Sequence, residues 1–356
     1  MQPLLPMLLR DQGFATESPD RSRDFQHRVG RPDTGHGDGP QPCVVLLTRA
    51  ADREADMLSL HLAAASVPVV RFDCDRVPGT GVSYAIGIGA ADRQLDVDGL
   101  QARPLVVWSR YFTTDSVPAV PGADRRLAGY LRGQWAGWRD LLVGADGARV
   151  LNPATVPDRI SQLHLASAVG LRIPATIVTS TPAAAAAALP GSGDVILKSL
   201  ADHVIEAEPG RLDGLFARRL TRAELVENPE TEGAPVIAQQ FVPARAEWRV
   251  YVVGDRFHTF AAAPHAAHAP FTDAASVPVR RVDTPDGIRA PLTELMRRWQ
   301  LDVAAFDLLD TPDGPVFLEA NASCDWLWLE HATGSRVVTD AVVDRVVAAY
   351  REKAAT

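Results

Sequence analysis

Three cysteines in 356 residues, Cys43, Cys74 and Cys324, with no Cys-x-x-Cys spacing, provide neither a disulfide framework nor a zinc cluster. They read as small buried hydrophobes. No apolar run approaches the ~20 residues that a membrane span needs, so no membrane partner is expected. The opening "MQPLLPMLLRDQG" has neither a basic stretch nor a small-residue cleavage site, and a cytoplasmic location is expected. A basic excess is missing too: 36 Lys and Arg against 44 Asp and Glu give a net charge of -8, which speaks against nucleic acid as a partner. Any anionic ligand must then be held by local groups. No internal repeat is visible.

What is present is a chain with 46% hydrophobic residues and room for two or three domains. Residues 1–41, rich in Asp, Arg, Gly, Pro and Gln and without period, are expected to form a disordered tail. Order is expected from "CVVLLTRAADREADMLSLHLAAASVPVVRFD", which reads as a βαβ unit: strand Val44 to Leu47, helix Asp52 to Ala65, strand Val69 to Phe72. Strands at "VSYAIGIGA" and "PLVVWSR" and a helix at "DRRLAGYLRGQWAGWRDLLVG" complete a first α/β domain over 42–150. A second unit, 151–242, contains a helix from about Pro157 to Val169 stopped by Gly170, and strands at "PATIVTS" and "DVILKSL". The polar stretch from Ser199 to Gly233 is strand-poor in pattern and suits a mobile lid. A third unit, 243–356, offers strands around a Gly254-Asp255 hairpin, a helix at "APLTELMRRWQ", strands "LDVAAFDLL" and "GPVFLEAN" joined by a "DTPDG" turn, and a closing helix at "VVTDAVVDRVVAAY".

Glu319 and Asn321 stand at the end of one strand and share a face, because strand side chains alternate. A neighbouring antiparallel strand can bring Asp307 beside them. Three such oxygen ligands suit magnesium, which takes one or two carboxylates and fills its shell with water and phosphate oxygens. The competing reading is a strand-end cap at Glu319 and an Asp307–arginine pair. Lys198, ending "VILK", is either a snorkelling side chain or a phosphate contact. "QQFV", Gln239, Gln240, Phe241 and Val242, is either a plain strand end or backbone that reads an adenine edge. Glu247 and Arg249 in "AEWRVYVV" share a face and suit a ribose acceptor and an anion clamp, or else form an exposed ion pair. His265 and His268 lack the spacing or the third partner of a metal pair, and read as loop residues near the substrate. Trp326 and Trp328 would fall on one face of an extended chain as core or wall, and nothing visible lowers the pKa of Cys324.

"VILK", "QQFV", "EWRVYVVGD", "AAFDLLDTPDG" and "VFLEAN" follow the order and spacing of an ATP-grasp ligase. Together with "QLHLASAVGLRIPATIVTS", "VVWSRYF" and "WLWLEHATG", the chain from about Cys43 to Tyr350 resembles the graspetide (microviridin-type) maturases, which crosslink ribosomal peptides. The resemblance implies an α/β (α+β) ATP-grasp fold with an N-terminal pre-ATP-grasp domain, ATP and Mg2+ as cofactors, and a precursor peptide of leader plus core as partner. It also implies a homodimer. Lys198 and Arg159, the latter where relatives place a second lysine, would meet phosphates. The backbone of Gln240 and Val242 would hold adenine, Glu247 the ribose, and Arg249 the γ-phosphate or acyl group. Asp307, Glu319 and Asn321 would hold magnesium. The family's Asp-Trp-Arg triplet is absent from "AAAPHAAHAPFTDAASVPVRR", so either Arg280 or Arg281 replaces its cation or the loop binds a different acceptor. Two other readings are a RimK-like ligase that adds an amino acid to a small molecule or protein, and a nucleotide- and peptide-binding protein without catalysis.

Overall fold

The computed structural model describes residues 40–88, 93–152, 157–201, 204–208, 211–214, 217–227, 234–264 and 277–356. Most of the expected N-terminal tail therefore lies outside the described residues, as do His265 and His268.

The chain opens with β1 (Gln41–Thr48), buried from Cys43 onward, and Asp52 then caps α1 (Arg53–Ala64) by accepting from Ala55 N. β2 (Val69–Asp73), β3 (Val82–Tyr84), β4 (Leu95–Val97) and β5 (Leu100–Ser109) follow, then α2 (Arg125–Val143) and β6 (Arg149–Leu151). β1 runs parallel to both β2 and β5, which completes the expected βαβ unit. One edge of β5 is shared: β4 pairs antiparallel with its start, and β6 parallel with its end. Strands β1 and β2 are buried on both faces, β1 as a continuous apolar run from Cys43 to Leu47 and β2 with Arg71 and Asp73 paired to each other within it.

The second unit contains α3 (Arg159–Ala168), β7 (Thr176–Thr179), α4 (Pro182–Ala188) and β8 (Val195–Ser199), then β9 (Val204–Glu208), β10 (Arg211–Gly214), β11 (Arg218–Leu220), α5 (Arg222–Glu227) and β12 (Val236–Gln240). Asp158 caps α3, and Gly170, at φ 92°, follows its end as expected. Its four-stranded antiparallel sheet has the order β11-β8-β12-β7, while β9 and β10 form a separate hairpin. The expectation of a strand-poor stretch after Ser199 is thereby corrected. Strands of 5, 4 and 3 residues carry too few apolar positions to show a period of two.

The last unit is β13 (Ala246–Val253), β14 (Arg256–Ala262), β15 (Val279–Val282), α6 (Asp286–Arg298), β16 (Val303–Asp310), β17 (Val316–Asn321), α7 (Leu327–Thr333) and α8 (Val337–Ala354). Its antiparallel sheet has the order β15-β14-β13-β16-β17, with Gly254 at φ 61° in the expected hairpin. One face packs Val250, Phe306 and Phe317 against α6 and α3. The other packs Tyr251, Val303 and Ala305 against α8 and, continuously, against Leu46, Leu58 and Trp108 of the first unit. That shared core fixes the first sheet against the back of the third. The chain after Asn321 is not extended at the tryptophans: Trp326 is the buried N-terminal flank of α7, and Trp328 lies within that helix. Among the described residues no helix is long and apolar enough to cross a membrane.

Candidate functional site

A row of charge crosses three strands of the last sheet, because Arg249 on β13 stands opposite Asp307 on β16, and Asp307 opposite Glu319 on β17. Arg249 Nη1 donates to both Asp307 oxygens at 2.9 Å. Asn321, two residues beyond Glu319 on the same face, places Nδ2 3.1 Å from Asp307 Oδ2 and 3.5 Å from Glu319 Oε1. A register shift between Asp307 and Leu308 marks a bulge beside this cluster, a common device for re-aiming side chains. Burial pushes the Asp307 carboxyl above its ordinary value, against the pull of Arg249 and with the repulsion of Glu319. Burial also works against the Arg249 charge, but Asp307 and Tyr251 more than offset it and hold its pKa well up.

The second unit delivers two cations to the same place, Arg159 from α3 and Lys198 from its sheet. Arg159, the first residue of α3, donates through Nη1 to Ser199 O at 3.0 Å and to Ala201 O at 2.5 Å, with Nε 3.5 Å from Glu319 Oε2. One guanidinium thus ties the end of β8 to β17. Lys198 on β8 forms no direct ion pair among the described residues, yet lies in the fields of Glu319, Arg159, Asp307 and Glu247. Burial pushes its ammonium below the ordinary value; Glu319 opposes that shift and Arg159 adds to it. The chain has 36 Lys and Arg but uses lysine only at 198 and 353. In so arginine-biased a sequence, a lysine kept at a half-buried strand end stands out, since an ammonium is a compact charge that arginine does not imitate.

"QQFV" divides by role. Gln239 is buried, and its Nε2 donates to Thr176 Oγ1 at 3.0 Å, so its side chain belongs to the sheet. Gln240 N donates to Ala175 O at 2.9 Å and Phe241 N to Asp194 O at 3.0 Å, while Arg219 covers the Phe241 ring at 3.7 Å. A ligand along this strand end would meet the Gln240 carbonyl rather than its N–H, and then Val242. Arg280 and Arg281 stand exposed on β15, separated from Asp307 on β16 by the two strands β14 and β13. Cys324 is buried, its thiol pushed up to about 12 by burial, which suits a hydrophobe and not a nucleophile.

Among the described residues no three His, Cys, Asp or Glu form a metal-binding group, so a cation at this site would be held by two carboxylates and an amide. That donor set fits magnesium, which keeps several waters and shares its shell with phosphates, better than zinc or calcium. Tyr251 is the neighbour that sequence reasoning missed: Arg249 Nε donates to Tyr251 OH at 3.1 Å. The alternation Glu247, Arg249, Tyr251 carried the signal, since all three share a face.

No family model matches the chain, and no curated protein sequence does. Solved structures share its fold. The macrocyclase MdnC from Microcystis aeruginosa MRC, bound with precursor peptide MdnA, is 20% identical with a TM-score of 0.70, over 86% of this chain and 99% of that one. A Chryseobacterium gregarium RiPP-associated ATP-grasp ligase, in complex with ADP and a leader and core peptide, is 21% identical with a TM-score of 0.69, over 85% and 96%. The ATP-grasp ligase PsnB, complexed with a phosphomimetic precursor variant, Mg and ADP, is 21% identical with a TM-score of 0.68, over 87% and 99%. The chain has the ATP-grasp fold of these solved structures.

Proposed function

We propose that this protein is an ATP-dependent, ADP- and phosphate-forming ligase that uses Mg2+ and crosslinks side chains of a ribosomal precursor peptide composed of leader and core. The observation that carries the reading is the meeting of Asp307, Glu319 and Asn321 with Lys198 and Arg159 across two sheets. The neighbours' precursor peptides, ADP and Mg support it. On this reading 42–150 is a pre-ATP-grasp domain, and 151–242 and 243–356 are the two halves that clamp ATP.

A side-chain carboxylate of the peptide attacks the γ-phosphorus of ATP, the bond to the bridging oxygen breaks, and ADP leaves. A Thr or Ser hydroxyl or a Lys amine of the same peptide then attacks the acyl carbon and expels phosphate, leaving an ester or amide. Such phosphoryl transfer is largely a matter of positioning and charge neutralisation. Lys198 and Arg159 supply fixed positive charge to the phosphates, and the Gln240 carbonyl and Val242 backbone meet adenine. Glu247 accepts from the ribose hydroxyls. Arg249 reaches Asp307 through Nη1 alone, which leaves Nη2 for the γ-phosphate or acyl oxygen. Asp307, Glu319 and Asn321 would hold magnesium, which when bound neutralises and orients phosphate oxygens.

Calorimetric titration with a non-hydrolysable ATP analogue, with and without Mg2+, tests the site; binding that needs Mg2+ is expected, and none at all overturns the reading. With a precursor peptide, ATP-dependent loss of water from the peptide mass is expected for each crosslink. A homodimer and a cytoplasmic location belong to the same reading, and light scattering and cell fractionation check them.

A further inference from the structure

β17 is an edge strand, paired with β16 on one side and met on the other by an isolated bridge between Arg172 and Val316. Its outer backbone groups are met from elsewhere: Phe317 N donates to Arg172 O, and Ala320 N to Gln162 Oε1, both at 2.8 Å. Past Asn321 the support comes, residue by residue, from the first unit and from Asn152, which directly follows β6 of the first sheet. Asn152 Nδ2 donates to Ala322 O at 3.1 Å. Arg110 Nη2 donates to Ser323 O and Cys324 O at 3.4 Å each, and Ser323 Oγ donates back to Arg110 O at 2.6 Å. Tyr111 OH donates to Asp325 Oδ1 at 2.6 Å, and Tyr251 OH to the Asp325 carbonyl. Glu54 Oε1 accepts from Trp326 N and Leu327 N at 3.0 Å each, at the start of α7.

The supporting groups are themselves held. Arg110 is paired with Asp52 at 2.8 Å, both side chains at 0% exposure, and its guanidinium lies 5.1 Å from the rings of both Trp108 and Trp326. Asn152, at φ 61°, accepts from Asp302 N and Val303 N through Oδ1 at 2.8 and 3.0 Å. Burying an ion pair seldom adds stability over apolar packing, so Asp52–Arg110 is better explained by what it orients. It orients the segment that directly follows Glu319 and Asn321.

We propose that Glu54, Arg110, Tyr111 and Asn152 are positioning residues, through which the first sheet sets the place of the Glu319–Asn321 strand end and hence its affinity for a divalent cation. The proposal rests on the ligase reading for its cation. Changes in groups that orient metal ligands commonly cost about 10- to 100-fold in metal affinity.

The experiment uses the full chain and the variants Glu54→Ala, Glu54→Gln and Tyr111→Phe. It measures amide hydrogen exchange over residues 320–327 without ligand, and the Mg2+ concentration that half-saturates binding of the ATP analogue. Glu54→Ala is expected to speed exchange over 320–327 while β13 and β14 stay protected, and to raise the Mg2+ requirement about tenfold. Glu54→Gln keeps an acceptor oxygen and is expected to restore both. Tyr111→Phe removes one hydroxyl, serves if Glu54→Ala fails to fold, and is expected to move both readouts in the same direction by less. Folded Glu54→Ala or Tyr111→Phe with wild-type exchange and wild-type Mg2+ requirement would overturn the proposal. Should the wild type bind no nucleotide with Mg2+, the ligase reading falls by itself, and the exchange arm alone decides whether these residues position the strand end.

Discussion

The two sheets that bring their charges together at the site differ in how they are supported. The last sheet is packed on both faces, by α3 and α6 on one side and by α8 and the first unit on the other. The second sheet has a small core of its own, Ala185, Leu189, Val195, Leu225 and Ala238 with a few half-buried neighbours. The oxygen donors therefore sit on the thickly packed side, and Lys198 on the thin one. Regions with few buried apolar contacts open at the lowest free-energy cost. On the proposed reading, the difference means that the end with Asp307, Glu319 and Asn321 is set before any ligand arrives, whereas the end with Lys198 has room to adjust around one.

The strongest way to break this comparison is Glu319→Gln. If the oxygen side is a preset cation site, turnover falls to background and Tm stays within about 2 °C of wild type, since a half-buried carboxylate at a strand end contributes little to folding. Folded, fully active protein in a peptide crosslinking assay would remove Glu319 from the site.

Next comes Lys198→Ala on the thin side. A charge-assisted contact contributes about 1.5–3 kcal/mol, so the Kd for the ATP analogue should rise at least about tenfold by calorimetry. Tm should not fall, because burial disfavours the ammonium and no direct ion pair holds it among the described residues. Unchanged affinity would reduce Lys198 to a snorkelling side chain.

Glu54 sharpens the comparison through pH. Burial first, and Asp325 second, push its carboxyl from 4.5 up to about 7, so between those values the folded protein holds a proton that the unfolded chain has lost. Stability linked to Glu54 is full below pH 4.5 and is lost as pH rises to about 7. Glu54→Gln should therefore show a smaller fall of Tm across that window than wild type in parallel thermal melts. Equal slopes would mean that Glu54 keeps an ordinary pKa.

The smallest effect is expected of Arg159→Lys. The charge is kept and the bonds to Ser199 O and Ala201 O are lost, so nucleotide affinity should fall only about threefold by calorimetry. A loss as large as that of Lys198→Ala would show that the link between the two sheets matters as much as the charge.

Much of the fold was legible, and for identifiable reasons. β1 and α1 announce themselves because a buried parallel strand such as Cys43 to Leu47 is continuously apolar and Asp52 is a helix cap, and β2 follows from the βαβ order and its Val69-Val70 start. Glu319 and Asn321 were legible as a pair because a strand alternates. β9, β10 and β11 were not, being too short for a period, and the helical turn at Trp326 was hidden because Glu54, 272 residues away, accepts from its amide. The bond from Arg110 to Ser323 spans 213 residues, a distance over which no local pattern operates.

The sequence by itself determined the alternation that puts Glu319 beside Asn321, the caps and glycines that start and stop the helices, and the choice of lysine at 198 in a chain otherwise built on arginine. Tertiary structure alone decided that Asp307 lies between Arg249 and Glu319, that Arg159 joins β8 to β17, and that the first unit holds residues 322–327. The former are set by backbone geometry over a few residues. The latter depend on strand pairing and on buried side chains meeting across hundreds of residues, where the burial of a shared core, and no local preference, selects the partners.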